Sequence, residues 1–341
     1  MKRYNSNPLF VLLLIVLPAL FFGCKDKGES HKPNISGSTG EVLVVMNDSV
    51  RDEAGGKTLE EMFRQTVIGL PQAEPLFDLS IIPHRAFGER LRAFRNLVLV
   101  EMGDEHEPDI KFYKDMWGKQ QALARVFARD SWELDSLLDA EEVKLTSFFV
   151  RAERERNMKY FKKYINKELT EEFQEEWDAY MTVPVNYSAN QPGKDFMWMS
   201  NETPLTSQGL LIWSYEYTGP ESISQTNLLN KRDSVLERNI PGPSEGSYMT
   251  TELNVPVTYK RFEHNDHQIV ELRGLWKVEG DLMGGPFISF AHIDEENSRV
   301  VVTDGYVYAP EKPEKRNLLW EVEAVLYSFK FLDDDEEEDA G

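Results

Sequence analysis

Apolar positions along this chain follow three patterns in turn. From Pro8 to Phe22 almost every residue is apolar. From Lys25 to Gly40 almost none is, and Gly, Ser and Pro recur. Beyond that, short apolar runs are interleaved with stretches in which apolar residues return every three or four positions. The runs at 42–46, 76–82, 96–101 and 122–128 read as strands. Leu59, Met62, Phe63 and Val67 space a helix over 57–68, which Leu70-Pro71 stops. The spacing of Leu134, Leu137, Leu138, Leu145, Phe148, Phe149 and Ala152 predicts a long helix over 130–164, with Asp130 and Glu133 as a capping box. A second helix is expected at 170–180. Pro184 to Lys194 has two prolines, a glycine and little apolar content, and marks an internal boundary. After it strands predominate, at 195–200, 210–217, 257–262, 269–278, 287–293 and 300–308, with helices at 222–238 and 318–329. This order predicts an α+β fold of mixed, largely antiparallel sheets with flanking helices, in two halves.

The first apolar run follows Lys2 and Arg3 and ends at Gly23-Cys24, after which the chain turns polar with Lys25, Asp26 and Lys27. It is short for a bilayer span, which needs about 20 apolar residues. A charged start, a short apolar stretch and a small residue at the cut are the parts of a secretory signal. The run resembles a bacterial lipoprotein signal, which implies cleavage before Cys24 and lipidation of its thiol. The other reading is an uncleaved anchor helix with an incidental cysteine. Several acyl chains hold a protein stably, since each buried CH₂ contributes about 0.8 kcal/mol. Cys24 is the one cysteine of 341 residues, so the mature chain has no thiol left for an internal disulfide. The expected organisation is a signal at 1–23, a flexible tether at 24–40, an N-terminal half at 41–183, the boundary at 184–194, a strand-rich half at 195–331 and a tail at 332–341. The expected location is the cell envelope, at the outer membrane.

Charge narrows the partners. Removing residues 1–23 takes away Lys2 and Arg3 and no acid, so 36 basic residues face 59 acidic ones, a net charge of −23. Such a chain is repelled by nucleic acid. Seven of the acids form the block Asp333 to Asp339, expected as a disordered, solubilising end. Within the two middle helices, Arg151, Arg154, Arg156, Lys159, Lys162, Lys163 and Lys167 precede Glu168, Glu171, Glu172, Glu175 and Glu176. The pattern reads either as a basic face for lipid headgroups or glycan phosphate, or as a solvated hairpin whose arms compensate each other.

Three segments invite chemistry. Gly242-Pro243-Ser244-Glu245-Gly246 matches G-x-S-x-G, but the nucleophile elbow needs a strand before it and a helix after it, and here a helix precedes a loop. His264 and His267 flank Asn265-Asp266. A tight turn there brings both imidazoles onto zinc if His292 or Asp294 supplies a third ligand; the competing reading is an exposed hairpin loop. Alternation along the strand at 210–217 puts Trp213, Tyr215 and Tyr217 on one face, as a platform for sugar rings or as core. No cofactor is expected.

Leu70-Pro71-Gln72-Ala73-Glu74-Pro75, Arg95-Asn96, Lys231-Arg232-Asp233, Arg273-Gly274-Leu275-Trp276, Met283-Gly284-Gly285-Pro286-Phe287, Val307-Tyr308-Ala309-Pro310 and Lys315-Arg316-Asn317 together resemble an uncharacterised lipoprotein family of Bacteroidota, domain of unknown function 4837. The resemblance runs through most of residues 41–330 and implies an envelope lipoprotein without assigning an activity. It suggests that 273–287 forms a structural corner, with Trp276 filling core and Arg273 paired to an acid. The expected role is a non-catalytic binding or accessory module for an envelope protein or glycan. The alternative is an envelope hydrolase or metal-dependent enzyme using Ser244, or His264 and His267.

Overall fold

A computed structural model describes residues 32–191, 195–265 and 267–332. Cys24, the expected signal at 1–23 and the acidic block at 333–339 lie outside the described residues. The N-terminal half is built on strands β1 (Glu41–Val45), β2 (Asp78–Ile82), β3 (Asn96–Met102), β4 (Asp109–Lys114) and β5 (Ala122–Ala128), in the order β2-β1-β3-β5-β4. The first four in that order are parallel and β4 is an antiparallel edge. The preponderance of antiparallel pairing expected from the sequence therefore belongs to the other half. Central parallel strands are covered on both faces, which is why β1 and β3 read as continuous apolar runs. One face carries Val42, Val44, Val98 and Val100 against α2 (Ala54–Arg64) and α4 (Ser131–Lys163). The other carries Leu43, Val45, Leu97, Leu99 and Leu123 under Phe87, Phe94 and Trp117 from the loops. Two single-turn helices, α1 (Asp48–Arg51) and α3 (Glu89–Arg92), lie in the connections.

The cap of α4 differs in part from expectation. The Asp130 carboxylate accepts from the N–H groups of Trp132 (3.0 Å) and Glu133 (2.9 Å). Glu133 does not return to the N–H of residue 130; it accepts from the backbone N–H of Arg129 at 3.1 Å and from the Arg129 side chain.

In the C-terminal half, α5 (Lys167–Trp177) leads to β6 (Ala179–Tyr180), β7 (Ser188–Gln191), β8 (Phe196–Glu202) and β9 (Ser207–Glu216). After α6 (Gln225–Asn239) come β10 (Tyr248–Thr251), β11 (Thr258–His264), β12 (His267–Glu279), β13 (Gly284–Asp294) and β14 (Arg299–Tyr308), then α7 (Arg316–Leu326) and β15 (Lys330–Phe331). Eight of these strands form one antiparallel sheet, β10-β12-β13-β14-β9-β8-β7, with β11 also on β12. Alternation splits β9 between two cores. Leu210 and Ile212 face Leu319, Val322 and Leu326 of α7. Leu211 and Trp213 face Leu228 and Leu236 of α6. The boundary segment at 184–194 contains β7, paired to β8 as the sheet's edge.

The halves share elements. Trp320 of α7 is buried in the N-terminal core, its ring 5.5 Å from that of Phe77. Phe161 of α4 packs on the C-terminal core. The Glu74 carboxylate accepts from the N–H groups of Lys315 (2.8 Å) and Arg316 (2.9 Å), so an acid of the N-terminal half caps a helix of the other. Of the segment 24–40, expected as a tether, the described residues from 32 onward make contacts with the folded body. Ser36 N–H donates to the Ala93 carbonyl at 3.0 Å, Arg95 N–H to Ser36 at 2.9 Å and Lys119 N–H to Pro33 at 2.9 Å, so residues 33–36 are tied to the folded body.

Candidate functional site

The β11–β12 hairpin brings the predicted histidines together. His264 and His267 are directly opposed across the hairpin, with Asn265 at φ 49° in the turn. Opposed residues of an antiparallel pair share a sheet face. Convergence thus comes from strand register, with no helix needed. Ile269 lies two residues beyond His267 and pairs with His292, so His292 joins the same face. All three line a crevice with Phe329 and Phe331.

Its geometry is that of a packed junction. His264 Nε2 lies 3.1 Å from the Tyr327 carbonyl oxygen. His292 Nε2 lies 3.2 Å from Thr303 Oγ1, and its ring is 4.1 Å from that of Phe329. The His267 ring meets Phe331 edge-on at 5.7 Å. Burial, and then the neighbouring imidazoles of His264 and His267, push His292 down to about 3. Burial also lowers His264. The crevice holds about 10 Å³, the lower limit for one water. Among the described residues no group of three or more His, Cys, Asp or Glu is arranged to hold a metal ion. His264, His267 and His292 are thus brought to one crevice, but the described residues arrange no ligand set around them.

Ser244 sits in the loop between α6 and β10, exposed, and its hydroxyl donates to Asp281 Oδ2 at 2.7 Å. That bond, ahead of one from the Leu282 N–H, lowers Asp281. No strand precedes the serine and no helix follows it, so the local structure is a turn and not an elbow. Of the two readings of the aromatic stripe, platform or core, the geometry is that of core. Trp213 is 2% exposed, stacked on Tyr215 with ring centroids 5.7 Å apart. The Tyr215 hydroxyl donates to the Ser222 carbonyl at 2.6 Å. Tyr217 is half-buried against the same core. Helix α6 and the turn at Pro220–Ile223 cover the face that a sugar would need. A second crevice, between Glu202–Ser207 and Tyr308–Glu311, has a volume of about 160 Å³, below the roughly 300–1,000 Å³ of small-molecule sites.

Apart from the pairing of Arg273 to an acid, sequence reasoning missed the buried ion pairs, because charged residues read as solvated. Three of the family-like segments, at 95–96, 231–233 and 273–276, meet one. Arg95 and Asn96 hold the Glu153 carboxylate of α4: Arg95 Nη2 donates at 2.5 Å and Asn96 Nδ2 at 2.7 Å. Arg232 of α6 is fully buried and donates to Asp304 of β14 at 2.7 Å, with its guanidinium 3.7 Å over Phe287. Burial raises the Asp304 carboxyl against the pull of Arg232. Arg273 donates twice to Glu271, at 2.7 and 2.9 Å, and once to Glu323 of α7 at 3.1 Å. Arg154 of α4 donates to the other Glu323 oxygen at 3.0 Å. The 273–287 segment, expected as a corner, is the turn end of the β12–β13 hairpin; as expected Arg273 is paired and Trp276 is buried, and the Trp276 indole N–H donates to the Val307 carbonyl at 3.2 Å. A Cβ on Gly285 would lie 2.0 Å from that carbonyl oxygen, so glycine is required there.

The profile of DUF4837, a domain of unknown function, matches residues 166–328. That of DUF8532, also of unknown function, matches residues 35–162. The division falls at the end of α4, upstream of the 184–194 segment. No curated protein matches the chain at a significant level. Among solved structures, the Ran-binding protein Mog1p of Saccharomyces cerevisiae is 8% identical with a TM-score of 0.32, over 46% of this chain and 90% of its own. A protein of Bacteroides thetaiotaomicron is 11% identical with a TM-score of 0.22, over 45% and 44%. Residues 166–328 thus match DUF4837 and residues 35–162 match DUF8532, two adjoining domains of unknown function.

Proposed function

We propose that this protein is a cell-envelope lipoprotein, held by acyl chains on Cys24, whose folded body serves as a non-catalytic binding or accessory module for an envelope protein or glycan. The anchor reading rests on the order of residues 2–27. The non-catalytic reading rests on one observation: the polar groups with catalytic potential are engaged with their own fold. Ser244 donates to Asp281, His264 and His292 face Tyr327 and Thr303, and the buried acids Glu153, Asp304 and Glu323 are each met by arginine. The body that remains is packed around four buried apolar clusters. Its exposed edge strand β7, with all four residues open to solvent, offers main-chain groups to a partner strand.

The test is fractionation of cells carrying the wild-type chain or Cys24→Ser, followed by cross-linking of the intact envelope. The wild type is expected in the membrane pellet with one cross-linked envelope partner, and the variant unprocessed or released. Equal processing and retention of both would refute the anchor. Labelling by a fluorophosphonate that disappears in Ser244→Ala would replace the binding module with the hydrolase alternative.

A further inference from the structure

The charge switch between α4 and α5 is not resolved by pairing. Lys159, Lys162, Lys163 and Lys167 are all exposed, and among the described residues none forms an ion pair with the glutamates of α5. Aromatic residues stand among them. Tyr160 is 60% exposed and Tyr164 43%, with ring centroids 4.8 Å apart. Lys163 Nζ lies 5.0 Å over the Tyr164 ring. Val185, 60% exposed, donates its N–H to the Tyr164 carbonyl at 2.8 Å and extends the patch. A basic, aromatic knob thus ends the 33-residue helix α4 of a strongly acidic chain.

Its position relates it to the lead. Arg156 Nε donates to the Gln120 carbonyl at 2.9 Å. The adjoining Lys119 is bridged to Asn34 and bonded to Pro33, where the described chain begins. Lys159, Tyr160 and Lys163 follow Arg156 by three, four and seven residues, and so lie on its stripe of the helix within two turns, about 10 Å. From Cys24 to Lys32 is eight residues, at most about 27 Å of chain. A lipid on Cys24 therefore lies close enough along the chain to bring this knob within reach of the headgroups.

We infer that the C-terminal end of α4, through Lys159, Lys162, Lys163, Lys167, Tyr160 and Tyr164, seats the body on the anionic headgroups of the membrane that holds its lipid. This rests on the anchor proposed above. Lysines near an anionic surface attract it, and tyrosines favour the headgroup level. Each lysine contributes about fivefold to the seated population at low salt, so the four together contribute roughly two to three orders of magnitude.

The test uses the acylated protein with Val185→Cys, which is then its one free thiol, labelled with a polarity-sensitive fluorophore. It is reconstituted on vesicles of phosphatidylcholine alone or with one third phosphatidylglycerol. The expected result is a blue shift with the anionic vesicles only, lost at high salt and lost in Lys159→Glu/Lys162→Glu/Lys163→Glu/Lys167→Glu. The same four changed to Gln act in the same direction and guard against a folding defect. A label at Leu282→Cys, in the β12–β13 turn, stays unshifted. Flotation on phosphatidylcholine reports the anchor separately. Flotation with an unshifted label on anionic vesicles overturns the seat, as does an equal shift on both vesicles. Failure to float on either overturns anchor and seat together. A shift given by a soluble phosphorylated glycan and not by vesicles overturns the membrane assignment.

Discussion

Replacing Glu323 by Ala removes the acid that ties α4 to the large sheet. Its side chain is 4% exposed, with Arg154 at 3.0 Å on one oxygen and Arg273 at 3.1 Å on the other. Burial raises its carboxyl, but the Arg273 and then the Arg154 guanidinium outweigh that and hold it below the usual range. The variant leaves two guanidiniums with less charge to answer them. Arg273 keeps its fork on Glu271, and Arg154 keeps its stack 3.4 Å over Tyr327. Breaking a buried pair by removing one partner costs about 3–5 kcal/mol, and these residual contacts place the expected loss at the lower end. The pH dependence has a fixed sign. An acid with a depressed folded pKa stabilises above its unfolded value, about 4.3, and loses that stabilisation as pH falls through the folded value. The gap between wild type and variant is therefore full at pH 7 and narrows below about pH 4.3. Urea denaturation of the mature chain at both pH values measures it, and a double-mutant cycle with Arg154→Met isolates the α4 contribution. A loss under 1 kcal/mol at pH 7, or a gap that does not narrow in acid, refutes the reasoning.

Two other outcomes follow from the same interior. His292, held near 3, stays neutral while its unfolded form protonates below about pH 6.5, so stability falls by about 1.4 kcal/mol from pH 7.5 to pH 5.5 through this group. His264 adds in the same direction, and His292→Leu flattens the profile in denaturant midpoints taken across that range. Trp320→Ala empties the contact with Phe77 and costs about 3–5 kcal/mol in urea unfolding; a loss confined to one half would show as a separate early transition.

The chain announced its elements better than their partners. Strands β1, β3 and β5 and helix α4 stand where their spacing placed them, because burial on one or both faces writes itself into the sequence; α2 begins three residues before the expected 57–68 and ends at Arg64, short of the Leu70-Pro71 stop. β4 escaped notice: DIKFYK is a half-exposed edge with charges along it. β10 and β15 were missed because four residues and two carry too little period. Parallel pairing in the first sheet depends on crossovers that no local pattern encodes. The candidate site was legible in part. The two histidines stand out in the sequence by their spacing, but their convergence with His292 depends on the β12–β13 register. Arg232, Glu153 and Glu323 were invisible, since a charged residue in a helix looks solvated until its partner, 72, 57 or 169 positions away, folds against it.

The account rests most on the thiol of Cys24. Intact mass measurement of the amino-terminal peptide from envelope-extracted protein tests it directly. A peptide that begins at residue 24 and carries acyl mass on the cysteine is the predicted result. A peptide that retains residues 1–23, or that shows a free thiol, contradicts it.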